Sequence, residues 1–170
     1  MNKNFKETLS DIKAFVFDVD GVFTDGTLFL LPEGVQARQM NIRDGFAIKH
    51  ATEQNYPIAL ITGGEDESVR WRFSNLGVKD IYLPSTNKVK DFEDFVAKRG
   101  LKKEEILYMG DDLPDYKVMQ MVGVPTCPAN ADSEIKKIAK SVSDKKGGEG
   151  CVRDVIEQVL RAQGNWVTQK

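Results

Sequence analysis

Ile12-Lys13-Ala14-Phe15-Val16-Phe17-Asp18-Val19-Asp20-Gly21 is a short apolar run that ends on two acids and a glycine. Its length and its Phe and Val content mark a buried strand, and the same pattern recurs along the chain. Ile58-Ala59-Leu60-Ile61 ends on Thr62-Gly63-Gly64, Asp80-Ile81-Tyr82-Leu83 leads to Ser85-Thr86-Asn87-Lys88, and Ile106-Leu107-Tyr108-Met109 ends on Gly110-Asp111-Asp112-Leu113-Pro114-Asp115. Val124-Pro125-Thr126 and Ser141-Val142-Ser143 are weaker strands. Helical spacing fills the gaps. Val69, Phe73 and Leu76 lie at i, i+4 and i+7 before Gly77, and Val89, Phe92 and Val96 repeat the pattern before Gly100. Val152, Val155, Ile156, Val159 and Leu160 form the clearest stripe, the spacing of an amphipathic helix. Strands alternating with helices predict an α/β fold of three layers, a mostly parallel sheet with helices on both faces. Neither an internal repeat nor a linker divides the chain, so residues 1–170 read as one domain.

One stretch departs from the alternation. Thr27-Leu28-Phe29-Leu30-Leu31, then Pro32-Glu33-Gly34, then Val35 to Asn41 predict a β-hairpin flap, about residues 24–41, with a Pro/Gly turn. Its first arm is apolar on both faces, so it is covered either by this chain or by a second copy.

In open α/β sheets ligands bind beyond the carboxyl ends of the strands, and four consecutive strand ends here carry carboxylates, a hydroxyl and an ammonium. Clustered carboxylates repel one another unless a cation neutralises them, and hard oxygen donors suit Mg²⁺. An aspartate can attack a phosphoryl group and divide one displacement into two easier ones. Phosphoryl transfer then needs positioning and charge neutralisation, and a second acid can protonate the leaving oxygen and later activate water. Taken singly, each motif has a plainer reading. Asp-x-Asp-Gly also fits a turn or a calcium-loop fragment, Thr62-Gly63-Gly64 a strand-to-helix turn, Gly110-Asp111-Asp112 a turn with a helix cap, and Lys88 a solvated side chain. All four in order at strand ends are specific.

The composition excludes other classes. There are 24 Lys+Arg against 26 Asp+Glu, a net charge of −2 with the single His neutral, without the strongly basic face of a nucleic-acid binder. Hydrophobic residues make up 41%, as in folded soluble proteins rather than disordered ones. Met1 to Glu7 opens with charge and reaches no apolar core of signal-peptide length, and runs such as Leu28 to Leu31 are too short to span a bilayer. Two cysteines, Cys127 and Cys151, make neither a disulfide framework nor a metal cluster and read as small half-buried residues. Cys151 has no base beside it, and the one imidazole is His50. A reducing, cytoplasmic compartment fits this usage.

Asp18-Val-Asp20-Gly21-Val-Phe-Thr24-Asp25-Gly26, Ile61-Thr62-Gly63, Lys88 and Gly110-Asp111-Asp112-x-x-Asp115 resemble the motifs of the haloacid dehalogenase (HAD) superfamily of aspartate-nucleophile phosphatases, over roughly residues 10 to 162. The absence of room for a cap domain and the glycine-rich tail, residues 145–154 with Gly147-Gly148-Glu149-Gly150-Cys151-Val152-Arg153-Asp154, resemble more narrowly the capless branch acting on the 8-phosphate of the eight-carbon sugar acid Kdo, a lipopolysaccharide precursor. The resemblance implies a Rossmann-like, HAD-like fold with Asp18 as nucleophile and Asp20 as general acid/base. It implies Mg²⁺ held by Asp18, the Asp20 backbone carbonyl and Asp111, and phosphoryl oxygens bound by Thr62, Gly63 and Lys88. Asp115 would act behind the metal on its waters or on Lys88, and Asp112 matches the motif with a less defined role. Relatives commonly carry Ala and Glu at the positions of Cys151 and Asp154, both conservative changes.

Capless members are similar in forming homotetramers around their hairpins, with a neighbour covering each active site. A sugar-acid substrate also needs cations beyond the phosphate site, for which Arg38, Arg43, Arg70, Arg72, Lys145, Lys146 and Arg153 are available. Arg70 and Arg153 are taken as substrate-binding candidates. Gly64 favours the eight-carbon acid, because phosphatases for nine-carbon 2-keto-3-deoxy sugar 9-phosphates resemble this chain but tend to carry an acid near this position. A phosphorelay receiver module also combines acids, Mg²⁺, Thr and Lys. In it, however, the acidic pair and the phosphorylated aspartate lie on different strands and precede the Thr and Lys, which is not the order found here. A catalytically dead HAD-like domain would be expected to lose Asp18 or Asp20, and both are present.

Overall fold

The computed structural model describes residues 5–169; Met1 to Asn4, part of the stretch without a signal-like apolar run, lie outside the described residues. In chain order the elements are α1 (Phe5–Leu9), β1 (Ala14–Phe17), β2 (Phe29–Leu30), β3 (Gln36–Ala37), α2 (Ile42–Glu53), β4 (Ile58–Ile61), α3 (Glu67–Asn75), β5 (Asp80–Tyr82) and α4 (Lys88–Arg99). They continue with β6 (Ile106–Met109), α5 (Tyr116–Met119), β7 (Val124–Cys127), α6 (Ser133–Ile138), β8 (Ser141–Val142) and α7 (Cys151–Ala162). Six strands form a parallel sheet in the order β5-β4-β1-β6-β7-β8, so every strand read from the sequence is present.

β1 shows how the layers arise. Its four residues are all buried, because a strand covered on both faces has no solvent side. Successive side chains alternate between faces. Phe15 and Phe17 therefore join one core with Leu60, Val69, Phe73 and the α7 residues Val155, Ile156 and Val159, while Ala14 and Val16 join the other with Phe92, Phe95, Tyr108, Met119 and Ile135. The first layer holds α1, α2, α3 and α7, and the second α4, α5 and α6. Phe73 meets Phe23 edge-on with ring centroids 4.6 Å apart, a geometry that aromatic pairs favour.

α2 has no counterpart in the sequence reading. Its apolar positions Ala47, Ile48 and Ala51 are interleaved with the buried polar side chains Asp44 and His50, which hides the stripe. It packs mainly on α7. The short helices α1, α5 and α6 likewise carry too few apolar residues to show a period.

The hairpin is present as the antiparallel pair β2–β3, with Phe29 opposite Ala37 and Leu30 opposite Gln36. Phe29 and Leu30 are 59% and 77% exposed, so this chain does not cover its own apolar arm. Both cysteines are free and fully buried, deeper than the sequence suggested. Burial pushes the Cys151 thiol far up, which makes it a packing residue. Among the described residues no helix is long and apolar enough to cross a membrane.

Candidate active site

The strand order fixes where the site forms. From β1 the chain steps one way to β4 and β5, then returns to β6 on the other side of β1, so the switch point lies at β1. The crevice that opens beyond the carboxyl end of such a strand is where this architecture binds ligands. A cavity of about 680 Å³ lies there, and Asp18, Asp20, Thr62, Gly63, Lys88, Asp111 and Asp112 all line it.

The backbone turns sharply after β1. Gly21 has φ +83°, and a Cβ on it would sit 1.9 Å from Asp111 Oδ2. Only glycine combines this left-handed conformation with so close an approach. Thr24 closes the turn, its hydroxyl oxygen accepting from the Gly21 and Gly26 amides at 3.1 and 3.2 Å. The Val19 amide donates to Asp18 Oδ1 at 2.7 Å, which fixes that carboxylate at the rim.

Lys88 is the N-terminal residue of α4, after the Asn87 cap. Its Nζ lies 2.8 Å from Asp18 Oδ2 and 2.7 Å from Asp115 Oδ1. Asp115 is fully buried and does not line the cavity. Its Oδ1 also accepts from the Tyr108 hydroxyl at 2.6 Å, and its Oδ2 accepts the Asp111 amide at 3.1 Å. Asp112 caps the turn at residues 113–115, with Oδ1 accepting from the Leu113 amide at 2.8 Å.

The electrostatics are unbalanced. Carboxylate oxygens of Asp18, Asp111 and Asp115 lie within 4.8 Å of one another, against one ammonium. Burial, then Asp115, pushes the Asp18 carboxyl up to about 7, against the pull of Lys88. Burial, then Asp115 and Asp112, pushes Asp111 up to about 7 as well. Burial alone would lower the Lys88 ammonium, but Asp18 and Asp115 outweigh it and hold it above its ordinary value. Asp111 Oδ1 is buried without a hydrogen-bond partner, which is costly unless something fills the gap. Hard oxygen donors, excess negative charge and an orphaned carboxylate oxygen together fit a magnesium ion. Asp115 is the poorest ligand of the three acids, because Lys88, Tyr108 and the Asp111 amide already occupy its oxygens.

Two sequence-derived candidates lie elsewhere. Arg70 bonds to Glu67 and to the carbonyls of Ile81 and Leu83, tying α3 to β5. Arg153 lies over the rings of Phe46 and Trp166 and pairs with Glu157. Neither lines the cavity, since each guanidinium already has its partners. The sequence reading missed Tyr108, the hydroxyl donor to Asp115, and it named Arg38 without the contact that Arg38 makes with Asp20. A tyrosine in a fully buried strand requires a partner for its hydroxyl, and that was the available signal for Tyr108.

The haloacid dehalogenase-like hydrolase family matches residues 65–156, a span that includes Lys88 and Asp111 and begins after Asp18. The 3-deoxy-D-manno-octulosonate 8-phosphate phosphatase KdsC of Salmonella typhi is 36% identical over 154 residues, 91% of this chain and 82% of that protein. The crystal structure of the phosphatase of that name from Yersinia pestis superposes with a TM-score of 0.91 at 31% identity, covering 94% of this chain and 86% of the other. That from Moraxella catarrhalis, determined with magnesium, phosphate and KDO, superposes with a TM-score of 0.90 at 29% identity over 94% and 92% of the two chains. The chain belongs to the haloacid dehalogenase-like hydrolases, in the family of the 3-deoxy-D-manno-octulosonate 8-phosphate phosphatases.

Proposed function

We propose that residues 1–170 act as one magnesium-dependent phosphatase domain that releases phosphate from Kdo 8-phosphate, in the cytoplasm, during lipopolysaccharide precursor synthesis. The observation that carries this reading is the Lys88 ammonium 2.8 Å from Asp18 at the mouth of a cavity also lined by Asp20, Thr62 and Asp111. Magnesium, held by Asp18, Asp111 and the Asp20 carbonyl, supplies charge neutralisation for the phosphate. Lys88, with Thr62 and Gly63, binds phosphoryl oxygens and keeps the Asp18 carboxylate in line with phosphorus. An Asp18 oxygen attacks phosphorus while the ester oxygen leaves with its electron pair, and Asp20 gives that oxygen a proton. Asp20 then takes a proton from water, whose oxygen attacks the phosphorus of the aspartyl phosphate. Inorganic phosphate leaves and the Asp18 carboxylate is restored. Asp115 holds Lys88 from behind, and Asp112 shapes the turn.

Lys88 is the one cation among the described residues lining the cavity, so the substrate's carboxylate needs a counter-charge from outside it. The exposed Phe29–Leu30 arm supplies a reason for association, because a contiguous apolar patch of this kind marks an interface. A homotetramer built on the hairpins answers both needs.

The test is release of inorganic phosphate from Kdo 8-phosphate and from a nine-carbon 2-keto-3-deoxy sugar 9-phosphate, compared by kcat/KM with Mg²⁺ and with chelator. The eight-carbon substrate is expected to lead, turnover to vanish with chelator, and Asp18→Asn to be folded and inactive. Chelator-insensitive turnover, or substantial activity in Asp18→Asn, would contradict the assignment.

A further inference from the structure

Arg38 follows β3, on the second arm of the hairpin, and its side chain is only 7% exposed. Its Nε donates to Asp20 Oδ1 at 2.7 Å and its Nη2 to Asp20 Oδ2 at 3.4 Å, while Nη1 donates to Asp66 Oδ2 at 3.0 Å. Asp66 is itself fixed, because its Oδ1 accepts the Ser68 amide at 2.9 Å as the N-cap of α3. Asp20 lines the cavity and its side chain is 37% exposed, but Arg38 does not line it. The guanidinium is therefore held between two carboxylates and forms no part of the cavity wall. The surroundings keep this arrangement open. A Cβ on Gly64 would come within 3.3 Å of Arg38 Nη2 and 3.5 Å of Asp20 Oδ2.

We propose that Arg38 is a positioning residue for the reaction. It clamps the Asp20 carboxylate from behind, so that the oxygen facing the cavity is aimed at the leaving group, with Asp66 as the anchor and Gly64 as the clearance. A planar fork gripping both carboxylate oxygens removes rotational freedom that a single point charge leaves. Proton transfer in the transition state depends on that aim. The inference rests on the phosphatase reading above, and it reassigns Arg38 from substrate carboxylate binding to control of the general acid.

The experiment compares the unaltered protein with Arg38→Ala, Arg38→Lys and Asp66→Asn on Kdo 8-phosphate, phenyl phosphate and p-nitrophenyl phosphate. p-Nitrophenolate leaves without being protonated, so kcat/KM on that substrate does not need an acid. Positioning predicts a fall in kcat/KM of about 10- to 100-fold for Arg38→Ala on the first two substrates, and less than about threefold on p-nitrophenyl phosphate. Arg38→Lys recovers part of the loss, and inhibition by inorganic phosphate is unchanged. Asp66→Asn can keep the cap through its one carbonyl oxygen but turns an amide donor toward Arg38 Nη1, so the anchor loses both its charge and its hydrogen bond. It shows the same pattern at about 3- to 10-fold, and it serves if Arg38→Ala does not fold. A raised KM for Kdo 8-phosphate alone would make Arg38 a carboxylate binder and overturn the inference. Equal losses on all three substrates with a lowered Tm would make it purely structural, which also overturns it. Absence of turnover in the unaltered protein on every substrate would overturn the phosphatase reading and this inference together.

Discussion

Replacing Asp44 by Asn should change how stability depends on pH, by an amount the structure specifies. Asp44 lies on α2 with 1% of its surface exposed. Its Oδ1 accepts the Arg153 amide at 2.8 Å, in the first turn of α7, and its Oδ2 is buried without a partner. Burial pushes this carboxyl up to about 6 from 3.8, against the pull of the Arg153 amide and guanidinium and the Gly150 amide. The folded state therefore holds the proton more tightly than the unfolded chain does. That stabilisation is complete below the unfolded value near 4 and is lost as pH rises through about 6. A gap of about 2 pH units corresponds to about 3 kcal/mol. Asn keeps the acceptor for the Arg153 amide and does not titrate. Urea unfolding of both proteins with chelator from pH 4 to 8 gives a difference curve in which other groups cancel. The wild type should lose about 3 kcal/mol relative to Asp44→Asn between pH 4 and 7 and then level off. A flat difference, or one of opposite sign, would refute the claim that burial governs this carboxyl.

Three further outcomes are expected. Gly21→Ala places a methyl within 1.9 Å of Asp111 Oδ2 at φ +83°, so it should cost about 1–3 kcal/mol and abolish the rise in Tm that Mg²⁺ is expected to give the wild type. Tyr108→Phe removes the 2.6 Å donor to buried Asp115 and should lower stability by about 1–3 kcal/mol in chemical denaturation. Leu30→Asp adds a charge at the more exposed of the two apolar side chains of β2 and should shift the protein to a smaller species in sedimentation while leaving its circular dichroism unchanged.

The central strands were legible because each is a run of three or four apolar residues, buried on both faces, that ends abruptly on polar residues. That pattern needs no tertiary information. The α7 stripe was readable for the same reason, since Val152, Val155, Ile156, Val159 and Leu160 all face the core. α2 was not, because its buried face carries Asp44 and His50, polar groups that bond to distant partners. Asp44 bonds the Arg153 amide, and His50 Nε2 hydrogen-bonds with the Asn165 carbonyl. A polar residue looks like surface until its partner is known. For Arg70 and Arg153 charge suggested ligand binding, whereas within this chain both guanidiniums have other partners and neither lines the cavity.

The order of strand-end motifs along the chain was enough to specify the parallel α/β architecture and to bring Asp18, Asp20, Thr62, Lys88 and Asp111 to one cavity, because each strand must deliver its end to the same rim. Distances between residues far apart in the chain were not accessible that way. The grip of Arg38 on Asp20 across 18 positions, and the burial of Asp115 beneath Lys88 with Tyr108, exist only once the hairpin folds over the rim and β6 takes its place beside β1. Side-chain partnership across the fold depends on the sheet order and on the direction each side chain takes from the backbone, and linear spacing encodes neither.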